Sequence, residues 1–532
     1  MPAIITDDFR RNQARLLVND IKASADSNFD SSSENPAGEL GWPYRGNNRY
    51  SIGLGKADPW VNDSNGNSES TTGFSPPTPE GTIQEDHDVI SNLSVLKDVA
   101  GTGVKQLIAK NPWTPGRKYK VYDEADDDMF YTSGDMYPCV VTDNNKVYLC
   151  LSNTATTSNF TAVLASNTQP QANSLYGVTV KGDAQGYVWA HVANIAPADP
   201  LLTNQFVPIN SSPSITPAQK QLTGGLISHI GITNGGTGYT NPPSVLITAV
   251  DYNGNVVNTG ISARSVIDGG VVTRIDLVDA NQSPLTDGSE SYWDHIDGNH
   301  LNATSSNRVK YVTVAIAASS GTNATAYATV APANGYAINA IDILPTWFVG
   351  LTAEFVNTET DNDAAIIDFR QVSLLKNFTR NPNHGEGSDA AGAITLDALK
   401  YVKLAGTPDT QIINSLSQGD VLTCGTSPGA KFYFDYYDSA TKNLYYHQNS
   451  NPEVNFIDPP ASTAVKSGTS TIANTDGNGT YRPEYNAYDS PPDAYDSPPN
   501  GTTNGEVIFH ENRAPFQRGS SQTEEVKLII QL

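Results

Sequence analysis

From Trp113 onward, apolar residues arrive in short runs of strand length, YPCVV, KVYLCL, GYVWAHVANI and QFVPI, each closed by turn residues. Runs this short, with a two-residue period, specify strands. Along GYVWAHV, Tyr187, Trp189 and His191 share one face while Val188, Ala190 and Val192 share the other. One face is expected in a core and the other in a partly polar contact. The 43 Gly and 33 Pro supply the turns that such a chain needs. At about 100 to 200 residues per domain, 532 residues exceed one core and suggest roughly three to five domains.

Two helices precede the strands. Thr6 can cap the first, with Phe9, Leu16, Leu17 and Ile21 on one face. The second is expected from about Gln84 to Ala100, with Val89, Leu93 and Leu96 at helical spacing and Gly101 ending it. The Gly, Asn, Ser and Pro-rich stretch between them, Asp26 to Pro79, reads as turns and loops.

Leu222 to Asn334 carries a degenerate repeat: LISHIGITNGGTGYTNPPSVLIT is echoed by VVTRIDLVDANQSPL and VKYVTVAIA. Strand, Gly or Asn-rich turn and strand in series give a self-complementary β domain. GGTGYTNPP lacks the Lys-Ser/Thr and the following helix of a phosphate loop, so it reads as a turn. A second β insert, about Gly392 to Asn474, contains KFYFDYYD, in which Phe432, Phe434 and Tyr436 alternate with Tyr433, Asp435 and Tyr437. That pattern suits a sheet with one buried aromatic face, or a carbohydrate-stacking surface. The tandem YDSPP units at Tyr488 to Pro492 and Tyr495 to Pro499 read as an extended connector.

Charge narrows the partners. With 32 Lys and Arg against 56 Asp and Glu, the net charge is −24, which disfavours both nucleic acid and anionic membrane surfaces. No run approaches the roughly 18 apolar residues that span a bilayer, and MPAIITDDFRRNQARLL has no apolar signal core, so a soluble, non-exported product is expected. Three cysteines cannot build a disulfide scaffold. CVVTDNNKVYLC reads as a hairpin centred on Asn144 and Asn145, with Cys139 opposite Cys150. Those thiols are either reduced or bridged, reduction being the expectation in cytoplasm.

No catalytic, cofactor or metal site emerges. His295 and His300 with Asp294 and Asp297 lack the spacing of a metal motif, and DEADDDM at Asp123 to Met129 lacks the Gly and Glu positions of a calcium loop. No CxxC pair is present.

The last 27 residues, EVIFHENRAPFQRGSSQTEEVKLIIQL, carry Asn512, Arg513, Pro515 and Gln522 to Glu525. In those positions they resemble the C-terminus of the small dimeric baseplate wedge subunit of T-even-type contractile-tailed phages (myoviruses). Three further segments fit the same family in order: KADPW with GFSPP (Lys56 to Trp60, Gly73 to Pro77), GDAQGYVW (Gly182 to Trp189) and FRQVSLL (Phe369 to Leu375). The resemblance covers about 1–208, 336–382 and 505–532, and the compact T-even form lacks both β inserts.

The resemblance implies a mainly β chain with a two-layer β-sandwich core, a few N-terminal flanking helices and two inserted β domains. The expected map is 1–112 for helices and loops, 113–221 and 335–384 for the core, 222–334 and 385–480 for the inserts, 481–504 for the linker and 505–532 for C-terminal core strands. It also implies a structural, non-enzymatic virion protein of the tail baseplate, assembled in host cytoplasm. Its expected partners are a second copy of itself, other wedge subunits and tail-fibre-attachment proteins, and it would take part in the rearrangement that triggers sheath contraction. A host-recognition adhesin and a polysaccharide-degrading tail enzyme are the alternatives.

In the C-terminal segment Val526, Leu528, Ile530 and Leu532 alternate with Lys527 and Gln531, as in a strand with one apolar face. Glu511 and Arg513 are candidates for a contact across a subunit boundary, or for a local salt bridge. Asn512 joins them through the shared motif. Trp60, Trp113 and Trp189 are candidate interface anchors, with core burial the alternative for each.

Overall fold

A computed structural model describes residues 5–25, 50–123 (except 62, 64, 65 and 71), 129–130, 137–153, 165–171, 178–179, 187–210, 227–278 (except 252–254 and 258–261), 309–330 (except 319), 339–356, 368–380 (except 377), 395–481, 485–486, 506–516 and 523–532. The fold is mainly β, with 48% of these residues in strands and 11% helical. The YDSPP units, the His295 and His300 cluster, most of DEADDDM and most of GDAQGYVW lie outside the described residues. The chain divides into two compact units: Met1–Leu16 with Lys105–Gly350 and Ile529–Leu532, and Leu17–Val104 with Leu351–Leu528.

In the first unit, Cys139–Val141, Lys146–Ser152, Val188–Asn194 and Val178–Thr179 form a four-stranded antiparallel sheet. Both of its faces are buried. Val141, Leu149, Ala190 and Val192 enter one apolar cluster with Trp347; Val140, Tyr148, Tyr187 and Trp189 enter another with Tyr119. The face carrying Trp189 is therefore core, where sequence suggested a partly polar contact. His191 is accommodated there by stacking on Tyr148, ring centroids 5.1 Å apart.

The Cys139 hairpin is one residue out of the expected register. Asn145 takes a left-handed conformation (φ 56°) and Thr142 N donates to Lys146 O, so the loop holds three residues and Cys139 pairs with Leu149. A one-residue slip reverses the face of every side chain. Cys139 and Cys150 accordingly enter different clusters, and both are free thiols.

Between residues 227 and 330 of the same unit, strand pairs Ile227–Thr237 with Thr322–Val330, Ser262–Asp268 with Val271–Val278, and Val245–Asp251 with Val309–Ile316 gather around Ile230, Ile232, Tyr239, Val272 and Ile275. In GGTGYTNPP, Gly235 to Thr237 end the strand Ile227–Thr237, and the remaining residues form the connection to Val245–Asp251. Gly236 and Gly238 have positive φ, and Tyr239 packs against Gly321 so closely that a Cβ there would lie 2.6 Å from the ring.

The second unit contains a five-stranded antiparallel sheet in the order Thr395–Asp397, Leu93–Asp98, Tyr50–Gly55, Phe369–Lys376, Glu506–Phe516. Two sequence expectations fail here. The stretch read as loop contains the central strand, Tyr50–Gly55, buried throughout. Its glycines obscure the strand signal, yet they allow close approach: a Cβ on Gly55 would fall 2.3 Å from the Asn92 carbonyl oxygen, and one on Gly53 would fall 2.5 Å from Leu93. The second helix spans only Ile83–Ser91, opened by a Thr82/Glu85 capping box, and Leu93–Asp98 is strand. Leu93 and Leu96 match helical spacing by coincidence, because Ser94 and Val95 between them are buried as well.

The first helix, Asp7–Ala25, is present, with Phe9 N donating to Thr6 Oγ1. Its buried residues include Ala14, Val18 and Ile21; Phe9 is 53% exposed, and Leu16 and Leu17 are half-buried. In Thr523–Gln531, Val526 and Leu528 are buried as the alternation requires and Ile530 is half-buried; Leu532, one residue beyond the strand, is exposed.

The rest of the second unit includes a closed six-stranded barrel. Its strands run in the order Lys400–Leu404, Asn443–His447, Ala430–Asp438, Val421–Cys424, Ala464–Ser467, Ser470–Tyr481. Phe432 and Phe434 point into its core. A bulge at Asp435 then resets the alternation, so that Tyr437 packs inward and Tyr436 stacks outside on Tyr445 at 4.3 Å.

Candidate functional site

The loop that follows Tyr50–Gly55 carries KADPW, and three other parts of the second unit close on it. Lys56 leaves the strand in a left-handed conformation (φ 60°), which turns the chain, and its Nζ bonds Asp58 Oδ2 at 2.8 Å. The same ammonium sits 4.6 Å from the centroid of the Trp60 ring, a cation–π distance.

Arg370, from FRQVSLL, is the first clamp. Its guanidinium meets both oxygens of Glu69 at 2.6 to 2.9 Å, and Nη1 donates to the Ala57 carbonyl at 2.6 Å. Glu69 Oε2 also accepts from Trp60 N at 2.7 Å. Both side chains are largely buried, so the planar fork of Arg is needed to satisfy the carboxylate out of water.

The second clamp comes from ENRAP. Trp60 Nε1 donates to the Arg513 carbonyl at 2.9 Å. Asn512 Oδ1 accepts from Gln371 Nε2 at 2.8 Å, and Asn512 Nδ2 donates to the Pro77 carbonyl, in GFSPP, at 2.9 Å. Between Gln371 and Phe369 the edge strand bulges, taking Asn512 to Phe516 against a shorter stretch of its neighbour.

The third clamp is the one that sequence reasoning missed. His447, on the barrel strand Asn443–His447, is 1% exposed. Its Nε2 faces Asp58 Oδ1 at 3.0 Å, and its Nδ1 faces both oxygens of Asp435, at 3.0 and 2.9 Å. Burial opposes the charged ring, but the Asp435 carboxylate and the hydrogen bonds to both acids prevail, and the His447 pKa is pushed up to about 9. Burial also opposes ionisation of Asp58, yet the His447 hydrogen bond and Lys56 hold its carboxyl far below the usual range. Asp435, wholly buried, is displaced upward by burial, partly offset by His447. Acids on both ring nitrogens favour the doubly protonated imidazole.

That geometry suits a tie and not a catalyst. With both nitrogens engaged by acids, the ring has no lone pair to take a proton from a nucleophile. Among the described residues no group of His, Cys, Asp and Glu is arranged to hold a metal ion. The only sequence hint was a single acid in an aromatic strand, Asp435, whose partner His447 lies opposite its neighbour Tyr433.

The candidate interface residues divide. Trp60, Asn512 and the backbone of Arg513 belong to this clasp. Glu511 and Arg513 face each other locally at 3.9 Å, both about half exposed, a contact of little energetic weight. In the first unit, Trp189 is 2% exposed in the aromatic cluster, and half-buried Trp113 packs beside it with Nε1 donating to Ser166 Oγ at 3.2 Å.

The aromatic strand gives little support to sugar stacking. Phe432 and Phe434 are core, and the outer tyrosines spend ring faces on one another: Tyr436 on Tyr445, and Tyr401 on Tyr481 at 4.8 Å. No protein-family model matches this chain, and a search of curated proteins finds no match.

Proposed function

We propose that this chain is a structural subunit of a contractile-tail baseplate wedge, joining neighbouring wedge proteins and moving with them when the baseplate rearranges. The observation that supports this reading is convergence. KADPW, GFSPP, FRQVSLL and ENRAP, scattered between residues 56 and 515, meet in one hydrogen-bonded clasp through Ala57, Trp60, Pro77, Arg370, Gln371, Asn512 and Arg513. Three of the four segments that follow one family in linear order therefore also touch in space, which a shared architecture explains better than separate coincidences.

The reading assigns no catalysis, and the chain works through contacts. Glu506–Phe516 is the natural contact element, since it lies at the edge of its sheet and carries Ile508 and Phe516, 39% and 42% exposed. Density of an intact tail tip is the test. The proposal expects copies of this chain in each wedge, with other wedge proteins against them. Purified tails that lack the chain, or activity of the pure protein on host envelope polysaccharide, would reject it.

A further inference from the structure

The barrel and the five-stranded sheet of the second unit have separate apolar cores. Leu422, Phe432, Leu444 and Val465 are sealed inside the barrel, while Leu93, Leu96, Leu375 and Phe378 cluster on the sheet. Where residues 447–451 of the barrel meet the sheet side, they do so through polar hydrogen bonds. Asn449 Nδ2 donates to Asn92 Oδ1 at 2.9 Å, Ser450 Oγ donates to Asp88 Oδ2 at 2.6 Å, and His447 bonds Asp58. Modules joined by polar contacts are free to move when those contacts loosen.

Among these bonds only the His447 bridge needs a charge to exist. A neutral imidazole has one N–H and one lone pair, so it can donate to Asp58 or to Asp435 but not to both. The lone pair would then face a buried carboxylate at about 3 Å, a repulsive contact in a poorly hydrated site. The geometry points to a charge lock: the His447 imidazolium fastens the barrel to the Asp58 loop, and loss of one ring proton frees that side of the barrel while barrel and sheet each stay folded.

The charged and titratable groups around the ring are few. Asp58 faces it from the loop with Lys56 paired to its other oxygen, and Asp435 and Tyr433 face it from the adjoining barrel strand; Glu453 acts on Tyr433, and Asp88 holds Ser450 three residues further on. After deprotonation Lys56 still balances Asp58, but Asp435 is left without a cation. Because the folded His447 value lies above its ordinary 6.5, the stabilisation is complete below that value and is lost as pH rises through about 9. Asp58 stays ionised throughout this window. The lock is closed at neutral pH and opens on the alkaline side. It operates whatever the chain assembles with.

Hydrogen exchange on the full-length chain, corrected for intrinsic rates and followed from pH 7 to pH 10, tests the lock. Amides of residues 56–58, 60 and 447–451 should lose protection by about tenfold or more with a midpoint near the His447 value, while Leu422 and Phe432 in the barrel keep theirs. His447→Gln should be open at every pH, with no midpoint. An unchanged profile in that variant, or simultaneous loss of protection at Leu422 and Phe432, would overturn the lock. Should the variant not fold, carbon-13 NMR of histidine side chains in the wild type decides: a doubly protonated His447 at pH 7.5 is required, and a neutral ring refutes it.

Discussion

Arg370 does more for the second unit than any other single side chain of the clasp. Its three guanidinium nitrogens reach Glu69 and the Ala57 carbonyl, and Glu69 in turn holds the Trp60 amide. Removing it would leave a largely buried carboxylate without a cation and an acceptor without a donor. Arg370→Ala is therefore expected to destabilise the second unit by about 3 to 5 kcal/mol, read by denaturant titration. Arg370→Lys should recover only part of this, since an ammonium cannot pair both oxygens and the carbonyl in one plane. Equal stability of Arg370→Lys and wild type would show that the fork geometry is unimportant. Arg370 and Asn512 were visible in the sequence as parts of short motifs. Their roles were not, because hydrogen bonds between residues 370 and 69, or 512 and 77, have no signature in local spacing.

Strands are the scale at which the sequence was most readable and also most misleading. YPCVV, KVYLCL and QFVPI declared themselves by alternation, and the KFYFDYYD strand was recognisable by its aromatic content. The central strand Tyr50–Gly55 did not, since its fit depends on two glycines that allow neighbours to crowd in, and glycine reads as loop. The Asp435 bulge is another feature that periodicity cannot announce, because it breaks the period on which the reading relies. The Cys139 hairpin shows how much hangs on one residue. Its three-residue loop sends Cys139 and Cys150 to opposite faces, and burial raises the Cys139 pKa well beyond its ordinary value. Thiol titration should find no reactive cysteine in the native protein and three after unfolding, with no intramolecular disulfide under mild oxidant. A disulfide between Cys139 and Cys150 would mean that the register is wrong.

For the molecule as a whole, charge and edge act against each other. A net charge of −24 makes copies repel, while the edge strand Glu506–Phe516 offers them an incompletely covered surface. If that strand mediates the proposed self-association, sedimentation should show a dimer that tightens as salt screens the repulsion, and Ile508→Lys should shift it toward monomer. A dimer that weakens with salt and ignores Ile508→Lys would place the contact elsewhere. The mainly β class was evident from composition and period alone; the barrel was not, because closure is a property of six strands together and of no single one. The strand order of the five-stranded sheet has a further implication. Reading across it, the chain supplies residues near 395, 95, 50, 370 and 510, so the sheet is built almost entirely from distant sequence. Loop closure of this kind is slow, and on a ribosome the early strands must wait for the last. The central strand Tyr50–Gly55 spends most of synthesis without its Phe369–Lys376 neighbour, and Phe369–Lys376 must wait in turn for Glu506–Phe516. A nascent chain in that state exposes open edges, the condition under which unpaired strands associate wrongly before the sheet is complete.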